Sequence, residues 1–313
     1  MKDLNIVIAG GGTMGTSLVQ IFSQYEYPVT LYSRKEETLA KAKERVALNQ
    51  VTMVAQGIVT EDESKALIDR ISYTNDKSCF ANADFVIENI TENMELKKIF
   101  WAEISKLVPE TAVLVTNTSG LSISEMATAV HMPERFAGMH WFNPPHILEL
   151  IEVTKGEKTT EETADFVMEL SRSVKKKPVK INKDVPGFLA NRLQYALIRE
   201  ASYMVDEGIA SMEDIDLACS LVVGMRYACF GPFVVTDMGG VDIWNSVSNY
   251  LFADLCADKD GCHRMQKLVA EGRLGVKANA GFYDYDPEKI PELIKDRDER
   301  YIKMVQLMNS FEK

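Results

Sequence analysis

Five cysteines and four histidines are few for 313 residues, and neither set is spaced to hold a metal. Cys79, Cys219, Cys229, Cys256 and Cys262 form no Cys-x-x-Cys pair, which excludes zinc-ribbon and thioredoxin-like motifs. Cys262-His263 stands beside nothing that would complete a ligand set, so no metal is expected. Positive charge is also short. Lys and Arg number 35 against 46 Asp and Glu, for a net charge of −11. That excludes a general nucleic-acid surface but leaves room for a local basic pocket facing a phosphorylated ligand. No apolar run reaches the roughly 20 residues that cross a bilayer. The opening MKDLNIVIAG meets glycine too soon for a signal peptide, so a soluble, cytoplasmic protein without a membrane partner is expected. Internal repeats and low-complexity tracts are missing as well.

What is present is a sizeable core-forming fraction, 46% hydrophobic, enough for about two domains. Short apolar runs rich in β-branched residues recur through the first half: LNIVIA (4–9), PVTLYS (28–33), ADFVIENI (83–90), TAVLVTN (111–117), RFAGMHWF (135–142) and ILELIEV (147–153). Helical spacing separates them, notably at 35–56 and 95–107. This alternation predicts a doubly wound parallel α/β sheet. The texture changes at KKKPVKINKDVPGF (175–188). Beyond it, 187–206, 212–221 and 240–256 carry helical spacing, and the charged tail 287–313 reads as a further helix packed on the second domain. The expected division is 1–184, a dinucleotide-binding domain of Rossmann type, and 185–313, an all-α domain.

The dinucleotide reading comes from IVIAGGGTMG. Gly10, Gly12 and Gly15 follow a strand directly and open a helix, the context the fingerprint requires. Gly10 permits the tight turn, Gly12 admits a pyrophosphate to the backbone, and Gly15 lets helix and strand close up. Thr13 and Met14 begin the helix, whose free N–H groups face the phosphates. The second strand ends in LYSRKEE, with Ser33, Arg34 and Lys35 where NAD-binding turns carry an acid for the ribose 2′-hydroxyl. A hydroxyl and two cations suit a 2′-phosphate, so NADP is favoured over NAD. The competing reading makes Arg34 and Lys35 a solvated helix start and gives the ribose to Glu36 or Glu37.

Four further segments place polar residues at strand or helix ends: TNTSGLSI (116–123), GMHWFNPP (138–145), LIEVTKG (150–156) and GFLANR (187–192). With the glycine turn, and in this order, they resemble the 3-hydroxyacyl-CoA dehydrogenase family, whose short-chain members act on 3-hydroxybutyryl-CoA. The likeness runs from about residue 3 to GFYDY (281–285). It implies a catalytic base at His140, which takes the proton of the 3-hydroxyl as hydride leaves for the nicotinamide; imidazole titrates near neutrality and serves both directions. It implies Glu152 as the orienting carboxylate, and Ser119 and Asn191 as groups that polarise the reacting oxygen. Glu92 and Lys97 match positions that contact the nicotinamide nucleotide, and Asn117 joins the cofactor set. The resemblance further implies a site formed between the domains, closing to exclude water, and a homodimer made through the helical domain. Taken singly, each residue has a structural alternative: Ser119 as the N-cap of a helix starting near Ser122, Glu152 as partner of a nearby lysine, Asn191 as a tie to helix ends. His146 is read as a pocket or surface residue.

Three features depart from the family. The cofactor strand ends in Ser33-Arg34. Gly120 stands where a second serine is usual. The stretch ALNQVTMVAQG (47–57) lacks the lysines that hold CoA phosphates in relatives, although Lys41, Lys43 and Arg45 lie just upstream. The second domain also carries GMRYACFGPFVVTDMGGVD (224–242), which resembles the branch containing carnitine and gulonate dehydrogenases. Arg226 would there grip a free carboxylate, unless it pairs internally with Asp237 or Asp242. The expected function is therefore NAD(P)-dependent oxidation of a short L-3-hydroxyacyl-CoA, or its reversal. The alternatives are a free 3-hydroxy acid dehydrogenase and, from another class, a non-catalytic crystallin-like protein, which the intact Ser119, His140, Glu152 and Asn191 argue against.

Overall fold

A computed structural model of the chain describes residues 3–55, 57 and 59–311. The ends of three expected segments fall outside that set: Met1 and Lys2 of the first domain, Gln56 of the helix 35–56, and Glu312 and Lys313 of the tail. The chain divides into two compact units, Met1–Asn191 and Arg192–Lys313.

The first unit is built on eight strands: β1 (Ile6–Ala9), β2 (Val29–Tyr32), β3 (Ile71–Thr74), β4 (Phe85–Glu88), β5 (Val113–Thr116), β6 (Phe136–Trp141), β7 (Leu150–Lys155) and β8 (Lys177–Ile181). They form one sheet in the order β3-β2-β1-β4-β5-β6-β7-β8. The helices are α1 (Thr13–Gln24), α2 (Glu36–Ala55), α3 (Glu61–Asp69), α4 (Met94–Ile104), α5 (Ile123–Ala127) and α6 (Glu161–Ser173), with α7 (Ala190–Asp206) leading out of the unit. Side chains alternate across each strand. Ile6 and Ile8 point into one buried cluster with Val29, Leu31, Leu18 and Phe22. Val7 and Ala9 point into the other, with Val86, Leu114, Trp101 and Phe136. Burial on both faces explains why these strands read as continuous apolar runs.

The α/β sheet followed by helices is the architecture expected from the sequence, and two details differ from it. The sheet is mostly parallel, but β6 and β7 pair antiparallel, with His140 directly opposite Glu152. β8 then returns the edge to parallel pairing against β7. β8 lies inside the basic stretch that reads as a domain boundary. Its Pro178 and four flanking lysines disguise a strand, yet proline is tolerated where a strand borders no further neighbour. β3 was missed for its shortness and half-polar composition.

The second unit is helical: α8 (Met212–Ala218), a π-helical turn (Cys219–Gly224), α9 (Met225–Cys229), α10 (Pro232–Gly239), α11 (Val241–Leu251), α12 (His263–Ala270) and α13 (Ile290–Ser310). Little of it is buried. Phe233 is 85% exposed and Phe252 74%. The tail helix α13 is expected to pack on this unit, but its Leu293, Ile294, Tyr301, Met304 and Leu307 are all exposed. Among the described residues no single helix is long and apolar enough to cross a membrane.

Candidate active site

The strand order reverses between β1 and β4, which opens a crevice at their carboxyl ends. The glycine turn fills it. A Cβ on Gly10, whose φ is +117°, would stand 2.5 Å from the Asn89 carbonyl oxygen, and one on Gly15 would stand 1.9 Å from that of Gly10. Both glycines are therefore demanded by backbone contact. Gly12 is different: nothing lies within 4 Å of its Cβ position. It caps α1 without any side-chain hydrogen bond, so the first-turn N–H groups face open space. That is the cradle a pyrophosphate fits. Arg45 of α2 donates to Thr13 Oγ1 at 3.3 Å and brings a cation to the same helix end. Lys41, by contrast, is paired with Glu37. At the end of β2, Arg34 is exposed, with no hydrogen bond or ion pair among the described residues. Glu36 accepts from Asn75 Nδ2 at 3.0 Å. Both acids that could have served the ribose thus have other partners.

The second centre lies at the carboxyl end of β6. His140 is 4% exposed and Glu152 fully buried. The antiparallel register sets them side by side, and His140 Nδ1 lies 2.8 Å from Glu152 Oε2. Phe142 and Phe188 pack on the imidazole with ring centroids at 4.4 and 5.9 Å. With Nδ1 held by the carboxylate, the tautomer leaves Nε2 as the proton acceptor. The other oxygen, Oε1, accepts from the N–H groups of Leu189 and Ala190 at 3.0 and 2.6 Å, where α7 begins. Burial pushes the Glu152 carboxyl up, but the bond to His140 and the two backbone N–H groups outweigh it and hold it below the usual carboxylate range.

The remaining site candidates gather at the ends of β4 and β5. Ser119 is exposed and its hydroxyl has no partner among the described residues; the N-cap of α5 is Ser122. Asn191 donates to the Ser119 carbonyl at 2.8 Å. Asn117 donates to Asn89 Oδ1 and accepts from the Trp141 N–H, both at 2.7 Å, and so stitches β4, β5 and β6 together beside His140. Lys97 is enclosed, bonded to Glu88 at 2.7 Å, whereas Glu92 is half exposed. Gly120 has a packing reason: its Cβ position lies 3.3 Å from both Cα and N of Gly187. Beyond His140, the loop 142–149 is held by Lys176, which donates to the carbonyls of Pro145 and Leu148. Burial lowers its ammonium to about 8. In the second unit Arg226 is exposed and makes no ion pair among the described residues, so the pairing with Asp237 or Asp242 is not formed.

Sequence reasoning missed Glu88, Thr118 and Phe188. Glu88 had a signal, a lone acid ending the apolar run FVIE, where burial demands partners. Thr118 and Phe188 had none beyond their neighbours.

Comparison with known proteins finds relatives over nearly the whole chain. Residues 5–185 match the model of the 3-hydroxyacyl-CoA dehydrogenase NAD-binding domain, and residues 187–285 that of the same enzymes' C-terminal domain. The chain is 33% identical over 309 residues to 5-formyl-3-hydroxy-2-methylpyridine 4-carboxylate 5-dehydrogenase of Mesorhizobium japonicum, covering 98% of this chain and 99% of that one. A crystal structure of an enzyme of that name, described as an NAD+-dependent dismutase, superposes with a TM-score of 0.89 at 33% identity, over 98% of this chain and 99% of the other. A probable 3-hydroxybutyryl-CoA dehydrogenase of Bacillus subtilis is 36% identical over 91% of this chain and 99% of its own. The (S)-3-hydroxybutyryl-CoA dehydrogenase structure from Ralstonia eutropha gives a TM-score of 0.77 at 31% identity, again over 91% and 99%. With both domain models matched in sequence, this chain belongs to the 3-hydroxyacyl-CoA dehydrogenase family of NAD-binding oxidoreductases.

Proposed function

We propose that the protein transfers hydride reversibly between a nicotinamide dinucleotide and the 3-hydroxy/3-oxo group of a short L-3-hydroxyacyl-CoA such as 3-hydroxybutyryl-CoA. The observation that carries this reading is the buried His140–Glu152 pair with Nε2 left over. A bound dinucleotide supplies the hydride acceptor. His140 holds the proton exchanged with the substrate hydroxyl, Glu152 keeps the ring in the required tautomer, and the Ser119 hydroxyl and Asn191 amide polarise the oxygen. A soluble, cytoplasmic homodimer belongs to the same reading. Its support is the apolar surface that the helical unit leaves open at Phe233, Met238 and Phe252, and sedimentation velocity measures it.

A second reading has its own support. The pyridine carboxylate dehydrogenase matches 98% of this chain, where the two acyl-CoA enzymes above match 91%. Arg226 is an unpaired cation of the kind that binds carboxylate, and the 47–57 stretch has no lysine for CoA. These favour a free hydroxy or aldehyde acid. Initial rates with acetoacetyl-CoA, run with NADPH and NADH in parallel, decide between the two. Turnover supports the thioester. No turnover, while dinucleotide still binds, shifts the substrate to the free acid and makes Arg226 the residue to mutate.

For the cofactor, the reading favours NADP, on the exposed Arg34 beside Ser33 and on the occupied Glu36 and Glu37. Loss of a charge-assisted contact to a 2′-phosphate costs about tenfold or more in affinity. Arg34→Ala is therefore expected to weaken NADPH by that factor and spare NADH in a fluorescence titration. An equal effect on both sinks the NADP preference.

A further inference from the structure

The loops after β4 and β5 are joined by a chain of hydrogen bonds whose link through Thr118 the dehydrogenase reading does not use. Glu88 ends β4 opposite Ala9 in register, beside the glycine turn. Its Oε1 accepts from the Ile90 N–H and from Lys97 Nζ, both at 2.7 Å, and its Oε2 from Thr116 Oγ1 at 2.7 Å. Lys97 also reaches Glu92 Oε2 at 3.3 Å. Glu92 Oε1 then accepts from Thr118 Oγ1 at 2.5 Å and from the Ser119 N–H at 2.9 Å. The Thr118 hydroxyl in turn accepts from the Leu121 N–H at 3.0 Å. Glu88, Thr116 and Thr118 are fully buried and Lys97 is 1% exposed. Two of these enclosed groups, Lys97 and Thr118, thus meet one half-exposed carboxylate, Glu92, which lies on the loop after the crevice strand and holds the backbone of Ser119.

We propose that Thr118 and Glu92 are positioning residues that couple the dinucleotide crevice to the substrate loop. Dinucleotide settling against the 89–93 loop fixes Glu92, and Glu92 fixes the turn 118–121 through the Thr118 hydroxyl and the Ser119 amide. Ser119 is then presented with its N–H held by Glu92 and its carbonyl by Asn191. Coupling of this kind is reciprocal, so substrate tightens dinucleotide by the same factor, typically about 5- to 100-fold. The proposal rests on the reading that Ser119 meets the substrate. Its physical content, an ordered 118–121 turn, can be measured without turnover.

The test is hydrogen exchange on the full chain, with and without saturating NADH and, in parallel, NADPH. The wild type and Thr118→Ser, which keeps the hydroxyl, are expected to show dinucleotide-dependent slowing of the Ser119, Gly120 and Leu121 amides by about 5-fold or more. Thr118→Val keeps the volume and loses the hydroxyl's hydrogen bonds to Glu92, Gly120 and Leu121, so its slowing disappears while dinucleotide affinity is retained. Its KM for acetoacetyl-CoA rises by the lost coupling factor. Should Thr118→Val not fold, Glu92→Ala at the half-exposed end of the chain must lose the protection as well. Protection that survives in the valine or alanine variant, or that never appears in the wild type, overturns the proposal. Wild-type protein that shows the protection but turns over no acetoacetyl-CoA instead refutes the substrate reading and leaves the coupling standing.

Discussion

Replacing His140 with glutamine lowers kcat on the order of 10²-fold or more, the loss expected when a positioned general base is removed, and leaves dinucleotide binding as in the wild type. The ring is buried and Nδ1 is committed to Glu152, so only Nε2 is available to the substrate proton. Glutamine fills the space and can hydrogen-bond Glu152 but does not accept a proton near neutral pH. The dinucleotide cradle is built from the Gly10–Gly15 turn and the start of α1, whereas the hydrogen-bond and ring partners of His140 among the described residues are Glu152, Phe142 and Phe188. Stopped-flow rates of dinucleotide oxidation, read beside a fluorescence titration, separate the two effects. A variant that loses affinity in proportion to rate would mean that residue 140 shapes the crevice. A rate unchanged from wild type would remove His140 from the role of general base.

Replacing Glu152 with glutamine is expected to cost rate or stability, according to which way the new amide turns. All three neighbours of its carboxylate are donors: the His140 Nδ1–H on one oxygen, the N–H groups of Leu189 and Ala190 on the other. An ionised carboxylate accepts at both ends, whereas an amide has one accepting and one donating end. Whichever way the new amide turns, a donor faces a donor. If its NH2 faces His140, the imidazole must take the other tautomer and Nε2 carries a proton, so kcat falls by about 10²-fold or more. If it faces α7, the first-turn N–H groups lose their acceptor, at about 1–3 kcal/mol. The pH dependence has a definite sign. The folded carboxyl lies below the usual range, so its contribution is complete above the unfolded pKa and is lost as pH falls through the folded one. Acid unfolding curves of wild type and Glu152→Gln should therefore converge as pH drops below that range. Parallel curves would deny the carboxylate its stabilising charge.

The apolar strands around the crevice were legible because burial on both faces leaves long β-branched runs, as in LNIVIA and TAVLVTN. The glycine turn was legible because backbone contact allows only glycine at 10 and 15. The antiparallel turn of β7 was not, since an apolar run carries no direction, and the edge strand β8 hid behind Lys177, Pro178 and Lys180. His140 and Glu152 were found through their motif, but the division of Glu152 between the imidazole and α7 depends on residues 37 and 38 positions away. Gly120 reads in sequence as a missing hydroxyl; its reason is the Gly187 backbone, far off in sequence and packed against it. The same distance concealed the Thr118–Glu92 bond, 26 residues apart.

The antiparallel step from β6 to β7 carries a consequence for how such an enzyme can diversify. His140 and Glu152 meet because their strands are in register, not because the eight residues 142–149 have any particular length or composition. A slip of one residue would turn Glu152 to the opposite face of the sheet, and five consecutive cross-strand pairs from Ala137 to Trp141 stand against it. The connecting loop is free of that constraint. Insertions or exchanges within 142–149 would change what lies beside the imidazole, Phe142 included, while His140 and Glu152 stay where the sheet puts them.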